Sequence, residues 1–344
     1  MADQTKTALD IEQIINDILA TIEREREREI ISRRFGLFDR KETLEQIGEL
    51  LGITRERVRQ LEKSVITRLK ATAEKDLPHI TDIQTRFVNE LDQTGGVSRV
   101  SNLSARLTKE NTRIDQARIA FLTLLSPSLA IIDENDHFYH SVGLVKLHHE
   151  KQMKDQVTKI IEAIKKIAEP TSIDKIAAAV KDTNEAHVAA LASTSKQLAT
   201  LNGRWGLIKW PMVNPKNIRD KIYVILFENG NPLHFNDIAE AIKKSEFKRK
   251  DVTTQAIHNE LIKDGRFVLI GRGIYALKEW GYKKGTVADI ITEVLKKAGE
   301  PLHRDEIVKR VLKSRHVKET TILLNLQGKA QFKRVAKATY ALAE

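Results

Sequence analysis

The stretch TLEQIGELLGITRERVRQLEK, Thr43 to Lys63, decides the fold. Leu44, Ile47, Leu50 and Leu51 recur at helical spacing, and Gly52 stands where that helix must stop in a conformation open to glycine. Ile53 is expected to tuck back toward a core. Thr54 has the side chain that accepts a bond from the free N–H groups opening a second helix. On this second helix Val58, Leu61 and Val65 share one face. Arg55, Glu56, Arg59, Gln60 and Lys63 fall on the opposite arc at about 100° per residue. A helix of that kind, braced by a shorter one, is what the DNA major groove admits, and Arg and Gln are the side chains that pair bidentately with base edges.

The stretch resembles region 4 of the bacterial sigma-70 family, the helix-turn-helix that reads the −35 promoter element. The likeness continues upstream through ERERERE and IISRRFGL, Glu23 to Leu37, and downstream through Ser64 to Lys70, covering roughly residues 9–73. It implies that Arg55, Glu56, Arg59 and Gln60 contact bases, while Arg57 and Lys63 contact phosphates, which fix register without reading sequence. It also implies double-stranded, promoter-like DNA as a partner and the RNA polymerase core, through its β flap, as a second one. The aromatic-rich segment with which a whole sigma factor captures the melted −10 strand has no counterpart in the chain. The expectation is therefore a promoter-reading module and not a complete initiation factor.

Upstream, residues 9–34 read as one helix solvated on most of its surface, with Ile14, Ile18, Ile22 and Ile30 as its packing face and i,i+3 pairs among the alternating charges of Glu23 to Glu29. Phe35-Gly36-Leu37 closes it, and residues 71–80 form the exit from a first domain over residues 1–75.

Beyond residue 75 the chain repeats itself. HFYHSVGL (137–144), GRWGLIKW (203–210), GIYALKEW (273–280) and ATYALAE (338–344) each centre on an aromatic, and Tyr139, Trp205, Tyr275 and Tyr340 are 66, 70 and 65 residues apart. Upstream of each lies a turn and an amphipathic helix: GGVSRVSNLSARL (95–107), EPTSIDKIAAAV (169–180), NPLHFNDIAEAI (231–242) and EPLHRDEIVKRV (300–311). Such a period is what an array of small domains leaves in sequence. In 218–280 the pattern is Ile218 to Phe227, Phe235 to Ile242 and Thr253 to Asp264 as helices, then Arg266 to Ile270 and Ile274 to Leu277 as a hairpin across Gly271-Arg272-Gly273. Three helices and a hairpin make a winged helix. The fold class expected is mainly α: a helix-turn-helix domain followed by tandem winged helices over 76–150, 151–215, 216–282 and 283–344. The last two units resemble the HARE-HTH module of the RNA polymerase delta subunit, on PLHFNDIAEAI, DGRFVLIGRGIYALKEW and, more weakly, EPLHRDEIVKRV with ATYALAE.

The chain has 344 residues, 58 basic and 47 acidic, for a net charge of +11, and residues 283–344 hold 14 basic against 7 acidic. A basic surface recruits polyanions by counterion release. No cysteine is present, which excludes disulfides, thiol chemistry and zinc–thiolate sites. No apolar run approaches a membrane span and no secretion signal opens the chain, so a cytoplasmic, nucleoid-associated protein is expected. Arg272, at a hairpin tip, is a further DNA-contact candidate. Lys243, Lys244, Lys248, Arg249 and Lys250 either track a phosphate backbone or cover a solvated loop, and Lys329, Lys333, Arg334 and Lys337 surround the last hairpin. Tyr139, Trp205, Trp210, Tyr275, Trp280 and Tyr340 are assigned to cores. His137, His140, His148 and His149 match no structural zinc spacing, so no metal and no cofactor are expected. Neither a phosphate-binding loop nor an H-E-x-x-H or G-x-S-x-G motif occurs, so no catalytic residue is assigned. The function implied is a sequence-specific transcription regulator or sigma-like factor at bacterial promoters. A polymerase-associated, delta-like interaction protein and a non-specific nucleoid or modified-DNA binder are the alternatives.

Overall fold

Thr21 breaks the first amphipathic run in two. In a computed structural model that describes residues 10–343 apart from 283, 284, 314 and 316, α1 (Ile11–Ala20) and α2 (Glu25–Phe35) replace the single helix expected over residues 9–34. The remaining positions, which belong to the first and last expected domains, lie outside the described residues. The Thr21 hydroxyl donates to the Ile18 carbonyl at 2.7 Å, the Ile22 N–H turns back to Leu19, and Arg24 is extended. The break serves two cores. Ile14, Ile18 and Ile22 join one apolar cluster, whereas Ile30 packs with Ile47 and Val58 in another.

The chain forms two compact units, Met1–Lys209 and Trp210–Glu344. In the first, α3 (Leu44–Leu51) and α4 (Arg55–Ala73) follow α2. Then come α5 (Ile80–Gln93), β1 (Val97–Arg99), α6 (Val100–Leu107), α7 (Arg113–Leu125), β2 (Leu129–Ile132) and β3 (Ser141–Leu144). The unit ends with α8 (Glu150–Ile167), α9 (Ile173–Val180), α10 (Glu185–Thr194), β4 (Leu198–Leu201) and β5 (Arg204–Leu207). The second unit holds α11 (Ile218–Asn229), β6 (Leu233–His234), α12 (Phe235–Lys244), α13 (Thr254–Lys263), β7 (Phe267–Leu269) and β8 (Ile274–Leu277). It continues with α14 (Val287–Ala298), β9 (Leu302–His303), α15 (Arg304–Leu312), α16 (Glu319–Gly328), β10 (Phe332–Ala336) and β11 (Thr339–Leu342). The described residues are mainly helical, with small antiparallel sheets.

The order of elements recurs four times as helix, short strand, helix, helix, hairpin. The sheets run β1-β3-β2, β6-β8-β7 and β9-β11-β10, and in the remaining case an isolated bridge from Thr171 to Trp205 stands in for the short strand beside β4 and β5. Register relates the copies. Trp205, Tyr275 and Tyr340 pair with Thr171, Leu233 and Leu302, each the residue one before the N-cap of the next helix. By the same rule the equivalent residue in the first copy is Val142, which pairs with Ser98, and not Tyr139. Tyr139 lies three residues earlier in the β2–β3 connection, where its N–H bonds to the Thr194 carbonyl and the Arg99 guanidinium covers its ring at 3.8 Å.

One apolar cluster runs from Ile11 on α1 through Val65 and Leu69 on α4 and Phe87 on α5 to Val142 and Leu144 on β3, so the border expected at residue 75 falls inside it. Arg118 on α7 fastens this core to the start of the helix-turn-helix. Its side chain is 9% exposed, and it donates to the Leu37 carbonyl at 2.8 Å and to Glu12 at 2.9 Å. In the second unit Arg315 plays a similar part, donating to the Leu269 carbonyl at 2.5 Å and to that of Gly285. Removing a buried donor strands its acceptors, so Arg118→Leu lowers the unfolding free energy of the first unit by about 1–3 kcal/mol in urea titration.

Candidate nucleic-acid interface

The helix-turn-helix is built from its caps inward. The Thr43 hydroxyl accepts the Gln46 N–H at 3.3 Å while the Gln46 side chain accepts the Thr43 N–H at 2.9 Å, a capping box that starts α3. Gly52 ends α3 at φ +64°, a left-handed conformation that costs an L residue about 1–2 kcal/mol. The Ile53 N–H returns to the Gly48 carbonyl at 2.9 Å, and the Thr54 hydroxyl accepts the Arg57 N–H at 3.2 Å to start α4. Ile30, Ile47 and Val58 are fully buried between the helices, with Leu44, Leu51, Ile53 and Leu61 packed around them. Leu50 is not part of this face as the spacing suggested, being 55% exposed.

Gly48 sets how closely the turn approaches α3. A Cβ at this position would stand 2.7 Å from the Ile53 carbonyl oxygen, a backbone atom that cannot swing aside. Nothing in the sequence marks Gly48 for this role, because a glycine inside a helix signals only a weak propensity until its neighbour is known.

The ERERERE run is largely solvated as expected, with Glu27 as the buried exception. Glu27 is buried and pairs with Arg68 of α4 and, at 3.6 Å, with Arg24. Arg34 bonds Glu62 of α4 at 3.2 Å, and Arg26 donates to the Leu51 carbonyl at the end of α3 at 2.5 Å. These contacts hold α4 from behind and leave its other side to solvent.

On that free side Arg55, Glu56, Arg57, Arg59, Gln60 and Lys63 are all exposed. Arg59 closes both arms of its fork on Glu56, at 2.6 and 2.9 Å, and Gln60 reaches the same carboxylate at 3.4 Å. The Arg59 hydrogen bonds hold the Glu56 carboxyl below its ordinary range and raise the guanidinium pKa in turn. Arg55 pairs with Glu45 of α3 at 2.7 Å, and Arg57 donates to Gln60 at 3.3 Å. The arc is thus a set of forked donors and amides held straight by their own network, with each bond accessible to exchange for a base edge or phosphate.

The other candidates are dispersed. Arg272 is exposed in the β7–β8 turn of the second unit. Lys243, Lys244, Lys248 and Arg249 are exposed, but Lys244 pairs with Glu240 at 2.5 Å and the Arg249 carbonyl accepts from Lys221 at 2.7 Å, so this loop is internally tied. Tyr275 and Tyr340 are buried, whereas Tyr139, Trp205, Trp210 and Trp280 are only half-buried, Trp280 packing against a small apolar cluster of Val268, Ile270 and Ala276. His148 faces His187 at 3.1 Å, and His187 Nδ1 lies 2.6 Å from the Gly95 carbonyl. Among the described residues no three His, Asp or Glu side chains gather as a metal cage, and no helix is long and apolar enough to cross a membrane.

Two helices joined by a left-handed glycine turn, the second buried along one stripe and bearing exposed Arg and Gln along the other, define a helix-turn-helix of the DNA-binding class. Residues 24–71 match the family described as Sigma-70, region 4. The chain is 52% identical over 46 residues to RNA polymerase sigma factor sigB of Arabidopsis thaliana, covering 13% of this chain and 8% of that protein. It is 41% identical over 61 residues to RNA polymerase sigma factor SigA of a Bacillus species, 17% of this chain and 16% of the relative. With RNA polymerase sigma factor RpoD of Helicobacter pylori it shares 53% over 49 residues, 14% of this chain and 7% of the relative. The chain therefore spans less than a fifth of the length of these curated relatives.

Two substitutions test the geometry. Gly48→Val forces the Ile53 carbonyl aside and destabilises the first unit by about 1–3 kcal/mol in thermal or urea unfolding, without removing any polar group from α4. Glu56→Gln frees Arg59 and removes a negative charge from the arc, and in anisotropy titrations it tightens binding to random duplex DNA by about fivefold.

Proposed function

We propose that this protein is a sequence-specific DNA-binding transcription regulator of sigma-like type that acts at promoters together with bacterial RNA polymerase. The observation that carries the reading is the exposed arc of α4. Arg55, Glu56, Arg59 and Gln60 face solvent on a helix whose back is fixed by α2 and α3, and this region matches sigma-70 region 4. In this reading those four side chains contact base edges, Arg57 and Lys63 contact phosphates, and the protein is cytoplasmic and associated with the nucleoid. It is a binding protein and not an enzyme.

The remaining chain is read as four winged helices over 76–150, 151–215, 216–282 and 283–344, the last two of HARE-HTH type. Supporting this is the recurrent order of helix, short strand, two helices and hairpin, with the aromatic of the returning strand in register with the short strand in three copies. The array carries the reader and adds contacts of its own, Arg272 among them.

A polymerase-bound role is favoured by one feature, the exposed Leu50 on α3 beside the turn, an apolar side chain suited to a protein partner such as the β flap. Pull-down from nuclease-treated lysate separates the roles, since polymerase retained without DNA requires the protein contact. The DNA-reading role is tested by selection from random duplexes. A preferred motif emerges, and Arg59→Ala relaxes one of its positions by roughly tenfold to a hundredfold. Equal recovery of all sequences by both proteins overturns the reading.

A further inference from the structure

The third helices of the four repeated copies are poor DNA readers. In the first copy α7 buries Arg118, Ile119, Phe121 and Leu122 in the core that it shares with α1 and α4. In the second, α10 lies against the Gly95 turn, where a Cβ on Gly95 would stand 2.4 Å from the Ala186 carbonyl oxygen. In the third, α13 exposes Ile262 and has Lys263 as its sole Lys or Arg. In the fourth, α16 runs ETTILLNLQG, holds no Lys or Arg, and exposes Leu324 at 67%.

The cations of the fourth copy are on its hairpin instead. Between Glu319 and Glu344 there is no acidic residue, while Lys329, Lys333, Arg334 and Lys337 all fall there. Only Phe332 of β10 is buried, and the four residues after it, which alternate between the two faces of the strand, are all exposed. The hairpin therefore projects beyond its own core, anchored by Phe332 and Tyr340. None of the four cations makes an ion pair among the described residues. Among the described residues Arg334 bonds the Ala336 carbonyl alone, at 3.1 Å, and its side chain is exposed.

Edge strands commonly carry a lysine simply to discourage strand addition. That role does not account for this one, because β2, β4 and β7, the corresponding first hairpin strands of the other copies, read LAII, LATL and FVL and carry no charge at all. Two cations on β10, one in its turn and one at the exit from α16 make a cationic rod of a few residues' length, with no ion pair among the described residues.

We infer that the β10–β11 hairpin is a sequence-indifferent clamp on the phosphate backbone of duplex DNA, with Lys329, Lys333, Arg334 and Lys337 each taking up a phosphate. A projecting hairpin with cations on both faces and no hydrogen-bonding amides at its tip meets a phosphate row and does not read bases. The inference rests on the proposed function only in taking duplex DNA as the polyanion.

The test compares the full chain with its Lys329→Gln, Lys333→Gln, Arg334→Gln, Lys337→Gln quadruple variant on a random-sequence duplex, by anisotropy across a salt series, with Arg59→Ala in parallel. All four positions are exposed, and unchanged circular dichroism and melting confirm the fold. The logarithmic salt slope of the variant is expected to fall by about 3 to 4, close to 0.9 for each lost phosphate contact, with base preference intact. An unchanged slope overturns the clamp. So does an unchanged slope accompanied by loss of polymerase from a nuclease-treated pull-down, which makes the hairpin a protein contact. If the slope falls while no base preference exists in either protein, the clamp stands and the promoter-reading role of α4 fails alone.

Discussion

The close approach of Gly48 to the Ile53 carbonyl governs this molecule. It lets α3 and α4 pack with α2 over three fully buried side chains, Ile30, Ile47 and Val58, one from each helix. Each contributes at most about 1.5–3 kcal/mol of burial, too little to fix a 19-residue helix alone. The shortfall is made up from outside the motif. Arg34–Glu62 and Glu27–Arg68 tie α4 to α2, and Val65 and Leu69 continue into the larger core that contains α7. The polar arc of α4 is exposed and straight because everything behind it is tied down.

The repeated units use one topology for different ends. The same helix position is a packing surface in α7 and α10, and a solvent-facing helix with few or no cations in α13 and α16. Such reuse follows from layer architecture, in which a helix with an apolar second face is buried wherever a neighbour covers it. The Tyr139 connection shows the same economy. It departs from the strand register of the other aromatics and, under Arg99 and against Thr194, joins the first copy to the second.

Local chemistry was legible in the sequence. Thr43, Gly52 and Thr54 announced the caps, the 3.6-residue period separated Val58 and Val65 from Arg55, Arg59 and Gln60, and Gly271-Arg272-Gly273 marked its turn. Features set by distant partners were not legible. Thr21 looks like any helical residue until its hydroxyl closes the turn, and Glu27 reads as solvated with the rest of ERERERE until Arg68, 41 residues further on, pairs with it. Tyr139 fitted a period that strand register contradicts, because spacing between aromatics counts loop residues as well as strand residues. Leu50 kept helical spacing with Ile47 yet faces solvent, while Leu44 and Leu51 of the same helix pack against the cluster.

The most direct test asks which groove α4 enters. With the preferred duplex in hand, each guanine is replaced in turn by 7-deazaguanine, which deletes the N7 acceptor of the major groove and leaves the minor groove and the phosphates untouched. Arginine forks on guanine edges lose roughly tenfold in affinity at one or more positions, and Arg59→Ala abolishes that sensitivity at its own position. Affinity indifferent to every replacement in the unaltered protein would contradict major-groove reading by α4.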